Sequence, residues 1–99
     1  MDTERLLSLT YLALDALFDA KTPPHVDARP LNGVLYRAAD LFVALERGAT
    51  VPDRFDTRAD ALTWARTTAE SANGLAESFG CTYPDTVFDI RDFAGLAVD

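Results

Sequence analysis

A chain of 99 residues, 48% apolar and 25% charged, has the length and balance of one folded domain with a single modest core, spanning 1–99; a disordered tail is excluded, and so is a pair of domains. Sixteen Asp and Glu against nine Lys and Arg leave a net charge of −7, and no three basic residues cluster in the sequence. Direct binding to nucleic acid, which needs a basic patch to displace counterions, is therefore disfavoured, as is attraction to an anionic membrane.

The first apolar run, Leu6 to Phe18, is preceded by Asp2 and Glu4 and interrupted by Asp15. It lacks the basic start and unbroken core of a signal peptide and is too short and too charged to span a bilayer. The lone Cys81 offers no disulfide framework, so a cytoplasmic location is expected.

Periodicity predicts a helix over residues 3–20. Leu6, Leu9, Ala13, Leu17 and Ala20 form one stripe, and Leu7, Tyr11, Leu14 and Phe18 an adjacent one. The polar remainder is the narrow row of Glu4, Ser8, Asp15 and Asp19. A surface helix ordinarily buries a stripe only a little wider than 100°. The wider one here implies two packing neighbours: either the helix is central, or its outer flank meets a second copy of the chain.

Pro23, Pro24 and Pro30 mark residues 21–29 as a connector. A second helix is expected over 31–47, with Leu31, Val34, Leu35, Ala38, Leu41, Phe42 and Leu45 on one face, Arg37, Asp40, Ala44 and Arg47 opposite, and Gly48 as its stop. After the loop that holds Phe55, Thr57 and Asp60 stand at capping-box spacing and open a third helix over 57–79, stopped by Gly80. Its buried face reads as Ala61, Ala65, Ala72, Leu75 and Phe79, flanked by Leu62, Ala69 and Ala76, a small-residue seam that permits close helix approach. Asn73-Gly74 is the competing signal, since that dipeptide favours a turn. Thr82 and Asp85 around Pro84 predict a short fourth helix over 84–94, with a strand as the alternative that would lack a partner. The fold class is all-α, a three- to four-helix bundle.

No catalytic signature emerges. His25 is the only histidine and Cys81 the only cysteine, too few for a zinc site, and no Gly-rich phosphate loop or nucleophile elbow occurs. No cofactor, no metal site and no enzyme activity is expected; an acidic metal-dependent enzyme is the weakest alternative. The spacing of Asp85, Asp89 and Asp92 places three carboxylates along one side of the expected fourth helix, and Asp15 and Asp19 do the same on the first. Aromatics at the edges of the expected core faces, Tyr36, Phe55 and Trp64 above all, either finish a small core or anchor a partner. The function these features suggest is a non-catalytic protein–protein interaction module, a small acidic inhibitor of immunity or phage-encoded type that blocks a basic, nucleic-acid-handling protein. A homodimeric structural or adaptor module, joined through the first helix or the alanine seam of the third, is the alternative.

Overall fold

Three apolar stripes on a short chain have one economical burial, in which antiparallel helices share a core, and the computed structural model has that form over the residues it describes, 2–80 and 88–97. The helices are α1 (Thr3–Phe18), α2 (Arg29–Glu46) and α3 (Arg58–Ser78), followed by a single 3₁₀ turn, η1 (Ile90–Phe93). No strand occurs among the described residues.

The central helix is α2. It packs against both α1 and α3, while the backbones of those two do not approach each other. Its whole expected face is buried, Leu31, Val34, Leu35, Ala38, Leu41, Phe42 and Leu45, and Ala39 is buried as well, because a helix with a neighbour on each side must turn apolar side chains to both. On α3 the buried row is Ala61, Ala65, Ala69, Ala72 and Ala76. These methyl groups bring α3 against α2, with the larger Leu and Phe side chains of α2 filling the space between. Buried in this way, the seam leaves no alanine face for a second copy of the chain.

Several expectations need correction. First, α1 is an edge helix rather than a central one, and its wide apolar surface is only partly covered. Phe18, expected on its apolar face, is 80% exposed. On α3, Leu75 and Phe79 lie towards solvent, and Ala69 and Ala76 take their place in the seam. Pro30 does not delay α2 to residue 31. It sits in the first helical turn, where its missing N–H is not needed, and the helix begins at Arg29. The Asp27 carboxylate accepts the Arg29 N–H at 3.1 Å, and the Arg29 guanidinium grips the same carboxylate with two bonds of 2.9 Å. The single helix expected over 57–79, by contrast, holds: Asn73-Gly74 does not turn the chain, and α3 runs through it unbroken.

The helix expected over 84–94 is reduced, in its described part, to η1. Asp89 accepts the Arg91 N–H at 3.0 Å, a local side-chain bond that offers the backbone an alternative to continued helix, and Gly95 follows with φ +84°. Ile90, 1% exposed, seats the turn in the core. Asp85, Cys81, Tyr83 and the expected cap at Thr82 lie outside the described residues.

Polar contacts then fix the connections. The Thr57 hydroxyl accepts the Asp60 N–H at 3.1 Å, opening α3 as the capping spacing implied. Arg58 donates to the carbonyls of Leu45 (2.8 Å) and Ala49 (2.7 Å), so the start of α3 caps the end of α2. From α1, the Thr3 hydroxyl donates to the Thr50 carbonyl and Glu4 accepts the Asp53 N–H at 2.7 Å. Both hold the 47–57 loop over the first turn of α1.

Candidate interaction surface

The edge aromatics assemble into two groups, the first of which spans elements whose backbones stay apart. Trp64 of α3 meets Tyr11 of α1 with ring centroids 5.3 Å apart and Phe55 of the loop at 5.8 Å, and the Arg54 guanidinium lies 4.6 Å above the Tyr11 ring. This group bridges α1 to α3 across the flank of α2. On the other side, Tyr36 of α2 stacks on Phe93 at 5.8 Å and Phe93 on Phe88 at 5.6 Å, which clamps η1 to α2. Tyr36, Phe55 and Trp64 are therefore half-buried, each packed on the core.

Several cations also make contacts within the chain while their side chains stay exposed. Arg91 bonds Glu46 at 2.7 Å and lies 3.5 Å from Asp89, while its plane sits 5.7 Å from the Phe42 ring. Arg66 covers Phe42 from the α3 side at 4.9 Å and faces Glu70 one turn on. The hydrogen bond from the Arg29 side chain, more than that from its backbone N–H, holds the Asp27 carboxyl below the usual carboxylate range. The bond to Glu46 raises the Arg91 guanidinium above its ordinary value. With Arg54 and Arg58 also engaged, the basic side chains are drawn largely into the molecule's own contacts.

The carboxylates are not drawn in to the same extent. Asp15 and Asp19 project from the C-terminal half of α1, exposed and without an ion pair among the described residues. Asp92 is exposed on η1, whereas Asp89 is taken up in capping that turn and facing Arg91. Asp89 and Asp92 thus do not share a helical face with each other, and η1 packs on α2 and α3 and not on α1. The expected partner-binding residues fall into three separate places: Asp15 and Asp19 on α1, Asp89 and Asp92 beside Tyr36, and Phe55 with Trp64 in the α1–α3 bridge.

Between α1 and the start of α2 runs an open groove of about 530 Å³, floored by Leu9, Ala13 and Gly33 and bordered by Leu12, Ala16 and Arg37. A Cβ on Gly33 would stand 3.5 Å from that of Ala13, an ordinary contact, so the floor of the groove has room for an alanine there. Leu12 is 63% exposed. On the wheel it falls between Asp19 and Arg5, next to Ser8 and Asp15, so it is an apolar residue inside the polar row and belongs to neither apolar stripe. Sequence reasoning passed over it, together with Arg5, although the seven-residue spacing Arg5, Leu12, Asp19 aligns all three along one exposed line of the helix. At the same end of the bundle as Phe18, the connector exposes Val26 and stacks His25 on Phe79 at 6.1 Å.

Among the described residues no group of three or more His, Cys, Asp or Glu side chains is placed to hold a metal ion, and no helix is long and apolar enough to cross a membrane. The exposed large apolar side chains are Leu12 and Phe18 on α1, Val26, Leu75 and Phe79 at the adjoining end of the bundle, and Leu96 beyond η1. No family model, curated protein or solved structure matches this chain.

Proposed function

We propose that this protein is a non-catalytic interaction module, a small acidic inhibitor whose carboxylates engage a basic, nucleic-acid-handling protein partner in place of phosphates. One observation supports this reading above the others: most arginines have contacts within the chain, while Asp15 and Asp19 make no ion pair among the described residues and stand on the same helix as exposed Leu12 and Phe18. Apolar anchors rimmed by charge of one sign suit a partner surface of the opposite sign, where charge sets the encounter rate and orientation and the buried anchors slow release.

The test is capture of a partner by the tagged protein at low and high salt, compared with Asp15→Asn/Asp19→Asn. A basic protein retained at low salt, released at high salt and lost with the double variant supports the reading. Capture indifferent both to salt and to the double variant would overturn it.

A second reading, a homodimeric structural or adaptor module, is favoured by a different observation. Because α1 lies at the edge of the bundle, its outer flank, with exposed Leu12 at the centre, meets no other helix among the described residues.

A further inference from the structure

We infer that α1 pairs with α1 of a second copy, antiparallel and centred on Leu12, with Arg5 of each chain opposite Asp19 of the other. The inference rests on the homodimeric reading and adds to it the surface, orientation and register.

A two-fold axis brings fixed pairs of residues on this helix face together. Arg5 and Asp19 each stand seven residues from Leu12, one towards each end, so they lie at equal distances along the axis, about 10 Å at 1.5 Å per residue. An antiparallel two-fold through Leu12 therefore sets Arg5 against Asp19 of the other copy, and does so twice. Both side chains are exposed, and neither makes an ion pair among the described residues.

The same operation keeps each flank of the helix on its own side. On the groove flank, Leu9 of one copy comes level with Ala16 of the other, apolar against small. On the opposite flank, the Ser8 hydroxyl comes level with the Asp15 carboxylate, a donor against an acceptor. At the centre Leu12 meets Leu12, and each is withdrawn from water. A parallel pairing would instead set Asp15 against Asp15, Asp19 against Asp19 and Arg5 against Arg5, three like-charge contacts. The pattern is thus self-complementary in one orientation only.

The contact is small. One helix pair about 21 Å long stays under the roughly 1,200 Å² of a standard interface, so association belongs in the weak range and has to be examined up to millimolar protein.

Sedimentation equilibrium of the full chain over that range is the experiment, with thermal melts to confirm that each variant is folded; Arg5, Leu12 and Asp19 are all exposed, so folding is expected to survive. The wild type should show a monomer–dimer equilibrium, and Leu12→Asp should remove it. Arg5→Asp, which turns two attractions into two repulsions, should weaken association by about tenfold. Asp19→Arg alone should do the same, and the double swap Arg5→Asp/Asp19→Arg should restore the wild-type constant to within about twofold, because it reproduces the same two pairs with the signs exchanged. A wild type that stays monomeric at millimolar concentration overturns the homodimeric reading itself. A dimer that survives Leu12→Asp, or one that Arg5→Asp leaves unchanged, keeps self-association but overturns this surface and register.

Discussion

Replacing Gly74 by Ala tests the feature on which the sequence was most divided, whether Asn73-Gly74 turns the chain or continues α3. In the structure Gly74 lies inside α3, and it is not among the glycines with positive φ, which are Gly48, Gly80 and Gly95. A Cβ built on it meets nothing within 4 Å, so the substitution adds no clash and no packing. What remains is the intrinsic difference between the two residues in a helix interior, about 0.8–1 kcal/mol in favour of Ala, trimmed a little because α3 ends at Ser78 and its last turn frays. For a domain of this size that corresponds to a rise in Tm of about 3–8 °C. The matched control is Gly48→Ala. Gly48 sits just beyond α2 with φ +92°, where a Cβ again meets nothing but the backbone conformation itself opposes an L side chain, and a loss of about 1 kcal/mol is expected. Thermal and urea denaturation followed by circular dichroism measure both. A destabilised Gly74→Ala would mean that Gly74 adopts a turn conformation, and the continuous α3, with the alanine row that depends on it, would be wrong.

Three further outcomes follow from the packing. Ala69→Leu forces a longer side chain into a fully buried seam against α2 and should lower stability by about 1–3 kcal/mol in urea denaturation; an unchanged midpoint would show that the helices do not approach closely there. Thr10 is fully buried, and its hydroxyl donates at 2.8 Å to the Leu6 carbonyl, which the helix already engages. Thr10→Val should therefore be neutral or stabilising by up to about 1 kcal/mol, since no partner is orphaned, and a loss larger than that would refute the assignment. The Asp27 carboxyl titrates below its ordinary value of 3.8 because of its bonds from Arg29. Its contribution is accordingly complete above that value and is lost as pH falls through the lower folded value, so Asp27→Asn should flatten the acid side of the stability profile below about pH 4 and leave its shape unchanged near neutrality.

Helix existence was legible because each stripe repeats over three turns or more, and the stop at Gly48 and the cap at Thr57 were legible because each has a local cause. What periodicity could not convey is which helix is central. The width of an apolar face counts the neighbours a helix could accommodate, and on that count α1 outranked α2. The structure reverses the order for a reason the small residues supply: α3 buries a narrow alanine row and so needs one close partner, and α2, joined to α3 by a loop that Arg58, Thr3 and Glu4 tie down, is that partner. Once α3 occupies one side of α2, α1 can take only the other, and Tyr11 reaches Trp64 merely by ring length.

The surplus apolar area of α1 is then a consequence with functional weight. A helix with one helix packed on its backbone among the described residues still carries the face for two, and the part left over is not scattered at random. Leu12 lies within the polar row, midway between Arg5 and Asp19, where no requirement of the monomer's core places a leucine. Burial of an exposed leucine is worth roughly 2 kcal/mol, and a two-fold contact would recover that amount from each copy. The same leucine in the same place is invisible to a reading of stripes, because it interrupts a polar pattern instead of extending an apolar one; it becomes informative only once the flank of α1 around it is seen to be uncovered among the described residues.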